Sequence, residues 1–195
     1  LLLGGSAQAT GSGSNLIHLQ RLHDLGSRAE IVWQSTLVAA AGGHDQLGMA
    51  LSPDGQRVAL VARDFTLNAV VVALATTSSG GVIGGGTQSA QGFMLLPPVF
   101  AADGSLRVAS ESSAAQSGRV LRVAASGSFL GSTDLPCSAV QCRPGAATVT
   151  ADGATWVSSE DFDTGAALLQ RVDATGSVSW TRSYDVGEFN RIPAL

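Results

Sequence analysis

Apolar residues in this chain come in short runs, most of them alternating with polar positions and closed by Gly, Ser, Pro or Asp. Period-two alternation bounded by turn residues predicts strands. Strands are expected over 1–9, 15–22, 29–38, 47–52, 57–63 and 68–75. Others are expected over 93–101, 105–110, 119–125, 128–132, 146–151, 154–159, 166–172 and 178–184. The glycine-rich stretch 78–86 allows at most a short strand, and 133–145 reads as a long loop. No segment sustains the 3.6-residue period of a helix, so almost none is expected.

A dipeptide organises the pattern. Asp54-Gly55, Asp103-Gly104 and Asp152-Gly153 each sit between apolar runs, at a constant separation of 49 residues. Asp-Gly between alternating strands signals a hairpin whose turn requires positive φ, and both residues are read as tolerating it. Val123 and Val172, Gly127 and Gly176, and Pro144 and Pro193 keep the same spacing. Repeats of 40–50 residues with about four strands each are the mark of propeller blades. One twisted four-stranded sheet cannot bury both faces alone, so blades stack around an axis. The expected fold is all-β, a β-propeller with blades at 1–45, 46–91, 92–143 and 144–188 and the start of a fifth at 189–195. Each Asp-Gly turn is expected to join the two inner strands of its blade. The first unit lacks an innermost strand, and 191–195 matches the approach to a turn that would fall about six residues beyond Leu195. The chain therefore reads as part of a larger propeller, unless 191–195 fills the inner place of the first blade.

The segment LLQRVDATGSVSWTRSYD (168–185) resembles the outer half of a blade in bacterial β-propeller repeats of the PQQ-like and SBBP types. Asp173, Gly176 and Trp180 match their Asp-x-x-Gly, three residues, Trp pattern, and 97–110 is similar to the inner half. The third unit departs from the pattern with Gly131 in the Trp place. In the first, the gap from Gly26 to Trp33 is three residues longer, and the second has only glycines there. The resemblance implies the fold. It also brings in the quinoprotein dehydrogenases, which hold PQQ and calcium inside the channel, but no residue of this chain is assigned to either.

Composition narrows the partners. Of 195 residues 13% are charged, the net charge is −4, and all basic residues are Arg. That leaves no basic footprint for nucleic acid. No apolar run reaches the length of a membrane span, and no signal peptide is visible.

Few residues carry candidate chemistry. Asp54, Asp103 and Asp152 are read as turn residues, used for tolerance of positive φ and for local hydrogen bonding, rather than as a ring of carboxylates. Asp161-x-Asp163-x-Gly165, beside Glu160, is similar to half of a calcium loop, but the remaining oxygen ligands are missing, so a solvated hairpin loop is the reading. His18 and His23 point to opposite faces of one strand. His44-Asp45 could form half of a catalytic dyad, but no serine lies in a nucleophile-elbow setting. Surface or strand-edge placement is expected for all three histidines. Trp33, Trp156 and Trp180 read as packing between blades rather than as a sugar platform. Cys137 and Cys142 are the only cysteines. Two ligands do not make a zinc site, and the spacing is not Cys-x-x-Cys. Two buried free thiols are the alternative to a local disulfide; the disulfide is expected, and with it an oxidising compartment: extracellular, cell-surface or periplasmic. The function expected is a non-enzymatic scaffold whose loops bind a protein or glycan, without a cofactor. The alternative is a propeller enzyme, a quinoprotein dehydrogenase or a lactone-processing enzyme.

Overall fold

The computed structural model describes residues 1–8, 15–40, 43–89, 95–112, 117–137 and 141–185. The final run 191–195, on which the closure expectation turns, lies outside the described residues. All described secondary structure is β, and no helix is present that is long and apolar enough to cross a membrane. Four antiparallel meanders follow one another. The first is β1 (Leu2–Gln8), β2 (Asn15–Asp24) and β3 (Ala29–Ala40). The second is β4 (His44–Leu51), β5 (Arg57–Asp64), β6 (Ala69–Thr76) and β7 (Val82–Ser89). The third is β8 (Val99–Phe100), β9 (Leu106–Ser112), β10 (Ser117–Val123) and β11 (Phe129–Asp134). The fourth is β12 (Cys142–Val149), β13 (Thr155–Asp161), β14 (Ala167–Val172) and β15 (Val178–Tyr184). In each sheet the spatial order follows the chain order. β4 packs on β1 as β12 packs on β9, so β1 holds the place of a second strand.

The middle strands are apolar on both faces because each sheet is covered twice. Val58, Leu60, Ala62, Val71 and Ala75 pack toward Ile17 and Leu19 of the first sheet. Their alternates Ala59, Val61, Val70, Val72 and Leu74 pack toward Leu106, Val108, Leu121 and Val123 of the third. The third meets the fourth through Ala109, Val120, Leu135, Val157 and Val172. Parity along a strand thus selects which neighbour a side chain meets.

The Asp-Gly pairs join β4 to β5, β8 to β9 and β12 to β13. Gly55, Gly104 and Gly153 take φ of 69°, 78° and 79°, whereas Asn68 is the one non-glycine with positive φ among the described residues. The expectation of positive φ therefore holds for the glycines alone. The local hydrogen bonding expected of the aspartates is supplied by their carboxylates. Asp54, Asp103 and Asp152 each accept the backbone N–H two residues on. Each also accepts a hydroxyl, from Ser52, Ser105 and Thr150 respectively.

The last turn of the second, third and fourth sheets docks the sheet before it. Trp33 lays its ring on Gly80 and donates its indole N–H to Thr77 O at 3.2 Å. Arg122 packs on Gly176, and its guanidinium donates to Ala174 O. Between them, Gly84 and Gly127 bring two backbones together: a Cβ on Gly84 would lie 2.0 Å from Ser126 O. This approach explains the glycine run of β7, which is a full eight-residue strand where a short one was expected.

Three other strands differ from expectation. β8 is only two residues because Pro97 and Pro98 interrupt the run before it. β12 begins at Cys142, inside the expected loop, and absorbs Pro144 at a register shift before Ala146. Trp33 pairs with Arg21 just before a register shift, as Trp180 pairs with Arg171 and Gly131 with Arg122. Its three extra residues are taken up by a longer hairpin after β2, so Trp33 holds the same place as Trp180.

Candidate functional site

At the end of the sheets opposite the Asp-Gly turns, one construction occurs twice. Asp64 closes β5 and Asp161 closes β13, and both are buried. Asp64 Oδ1 accepts the N–H groups of Thr66 and Leu67 at 2.9 Å. Asp161 Oδ1 accepts those of Asp163 and Thr164 at 3.1 Å. A carboxylate that accepts two backbone N–H groups mimics a backbone turn and fixes the loop above it. The loops end at Asn68 and Gly165, with φ of 47° and 68°. Each carries a phenylalanine directly after its aspartate. Phe65 N–H donates to Gly43 O and Phe162 N–H to Gln141 O, which ties the loop to the incoming strand. Phe65 is 52% exposed and Phe162 41%, and Leu67 on the first loop is exposed as well. The Phe65 ring lies across Gly43, where any Cβ would meet it.

Directly across the ladder from each aspartate stands a residue of distinct chemistry: His44 opposite Asp64, and Cys142 opposite Asp161. His44 Nε2 lies 3.9 Å from Asp64 Oδ2 with both side chains fully buried. Both ring nitrogens and Asp64 Oδ2 lack hydrogen-bond partners among the described residues. The sequence coupled His44 to Asp45, whose side chain is not among those described, and expected it at the surface. The fold buries it against Asp64, because two antiparallel strands bring 44 and 64 into register. His18 meets the Thr36 hydroxyl at 3.2 Å, and His23 is exposed.

Cys137 and Cys142 form a disulfide with Cα atoms 6.1 Å apart, a separation in the ordinary range. Gln170 Nε2 donates to Pro136 O and holds the approach to it. The two sulfurs and a carboxylate oxygen of Asp161 lie within 4.8 Å of one another. The neighbouring sheet reaches the same place: buried Glu111 accepts Gln141 Nε2 at 2.9 Å and stands 3.7 Å from Arg143 Nε. The Arg143 guanidinium in turn lies 4.6 Å from the centroid of the Phe162 ring.

Of the sequence candidates, Asp161 is brought to the cysteines, and its Oδ1 fastens a loop rather than standing in an open calcium site. Asp163 is exposed. Trp156 and Trp180 form an edge-to-face pair at 5.3 Å within one sheet, with Arg182 over Trp180. The Asp-Phe pair went unread in the sequence. Its signal was present, as Asp64-Phe65 and Asp161-Phe162 stand 97 residues apart, about two periods. A cleft of about 480 Å³ lies at the Asp-Gly end, lined chiefly by Leu1, Leu2, Met49 and Leu51 beside Arg21. Its polar lining is the Arg21 side chain and Thr77, whose hydroxyl donates to Gly55 O.

No family model matches this chain, and no curated protein sequence matches it. Solved structures do. The fold is similar to the Dos1 propeller, with a TM-score of 0.58 at 13% identity over 94% of this chain and 45% of that one. It is similar to dipeptidyl peptidase 4 of Porphyromonas gingivalis, with a TM-score of 0.52 at 12% identity over 89% and 23% of the two chains. Prolyl oligopeptidase B from Galerina marginata gives 0.50 at 12% identity over 95% and 31%. The chain thus spans less than half the length of each. Identity this low speaks for fold alone, and the fold is that of a β-propeller, each sheet a blade.

Proposed function

We propose that this chain is a binding scaffold of an exported protein, which holds a protein or glycan partner on the end opposite the Asp-Gly turns. The paired Asp-Phe loops carry the reading. Two blades present an exposed phenylalanine on a loop fastened from below by a buried carboxylate. A surface aromatic held in one geometry loses little freedom on binding, which is what a recognition anchor needs. Arg143 beside Phe162 adds a cation for a polar partner. The Cys137–Cys142 disulfide supports an oxidising compartment.

The competing reading is a quinoprotein dehydrogenase or a lactone-processing enzyme. It requires polar groups from several blades to converge on the axis. The chemical groups described here gather instead within single blades or at one junction: His44 with Asp64, and Cys137 and Cys142 with Asp161.

Glycan and peptide libraries screened against the protein test the proposal, with each ligand remeasured on variants. Phe65→Ala and Phe162→Ala should weaken binding about tenfold or more, the scale of an aromatic anchor. Ser126→Ala, on the opposite end, should leave it unchanged. Binding indifferent to both phenylalanines overturns the face assigned here. Turnover of a lactone, or of an alcohol with PQQ and calcium, that His44→Ala abolishes overturns the scaffold reading itself.

A further inference from the structure

We infer that reduction of the Cys137–Cys142 disulfide creates a binding site for a thiophilic divalent cation of the zinc class, with Cys137, Cys142 and Asp161 as its protein ligands. The sequence offered two cysteines five residues apart, one ligand pair and no more. The fold adds the third. Cys142 on β12 and Asp161 on β13 are register partners in adjacent strands, and both are buried. Cys137 approaches from the segment before β12, whose Pro136 carbonyl is held by Gln170. Two sulfurs and one carboxylate oxygen already lie within 4.8 Å of one another, close to the span of ligands around one tetrahedral ion. Two thiolates and a carboxylate leave a fourth position open, the ligand count of a reactive rather than a closed structural zinc centre. Thiolates select zinc-class ions over calcium or magnesium, which take oxygen ligands.

The redox state of the cysteines decides occupancy. In the oxidised protein Asp161 is the one acid of the three, and its Oδ1 is engaged by Asp163 and Thr164 N–H. A dithiol reductant breaks the S–S bond, delivers two electrons and two protons, and closes to its own cyclic disulfide. Two thiols and the Asp161 carboxylate then stand together, Cys142 and Asp161 buried and Cys137 half-buried. A divalent ion that binds them displaces the two thiol protons. The site is thus present in one redox state and abolished in the other.

The test uses the whole chain, reduced with a dithiol, freed of reductant under anaerobic conditions and titrated with cobalt(II) and then zinc(II). One equivalent of cobalt should bind with a thiolate-to-metal charge-transfer band, and zinc should displace it while calcium does not. The oxidised protein should show no such band. Asp161→Asn should weaken cobalt affinity at least about tenfold, since even a lost outer-shell partner costs that much. Asp163→Asn, in the same loop but exposed, should not. Cobalt uptake without the band, equal uptake by oxidised protein, or unchanged affinity in Asp161→Asn overturns the inference. So does loss of the near-ultraviolet circular dichroism of the folded protein on reduction, which would leave no folded site to bind.

Discussion

Asp152 shows how a turn residue becomes a pH-sensitive one. The Thr150 hydroxyl, the Ala154 N–H and Arg171 all favour its charged form and lower its pKa to about 2. Asp54, Asp103 and Asp173 are lowered for the same first reason, a hydroxyl from Ser52, Ser105 and Thr175. An unfolded aspartate titrates near 3.9. A carboxylate depressed in the folded state adds stability that is fully present above that value and is lost as pH falls toward the folded one. For Asp152 the window runs from about pH 4 down to about 2. We predict that the urea midpoint falls across this window and that Asp152→Asn makes the fall shallower. A midpoint in Asp152→Asn with the same pH slope as the parent would count against it.

Between elements, glycine decides how closely blades approach. Gly127 sits at φ 89°, and a Cβ there would lie 2.5 Å from the Gly84–Gly85 backbone. Gly165 sits at φ 68° with open space around its Cβ position. Alanine at either site suffers the left-handed penalty, about 1–2 kcal/mol. Only at 127 must two backbones also separate. Gly127→Ala is therefore expected to cost clearly more stability than Gly165→Ala in urea unfolding. Equal losses would mean that the β7 contact with the β10–β11 turn contributes nothing. The same logic explains the strand pattern: a docking strand carries either a flat Trp33 over Gly80 or bare glycines at 84–86.

Across the whole molecule, the disulfide is a local staple on a structure held together by blade-on-blade packing. Its closed loop is short, with cysteines five residues apart. In the chain-entropy model such a loop supplies about 2 kcal/mol. Reduction should lower the unfolding free energy by about that amount while the far-ultraviolet β signature persists at 25 °C. Complete unfolding on reduction would show that the fourth blade depends on the staple.

The sequence by itself determined the periodic parts. Asp-Gly turns, two-residue alternation and the 49-residue repeat are local, because a turn or a strand face depends on neighbours in the chain. Even there the local hydrogen bonding of the aspartates was legible while their φ was not, since only the fold shows which residue of the pair takes the positive value. The candidate site was scarcely legible. His44 with Asp64, and Cys142 with Asp161, are pairs 20 and 19 residues apart whose meeting depends on strand register. Register in β12 shifts at Pro144 and in β4 between Asp45 and Gly48, and no composition announces such shifts. The full extent of β7 was hidden because its glycines are chosen for a neighbouring blade rather than for their own strand. Tertiary structure decided these matters, because each depends on what lies across the ladder or in the next blade.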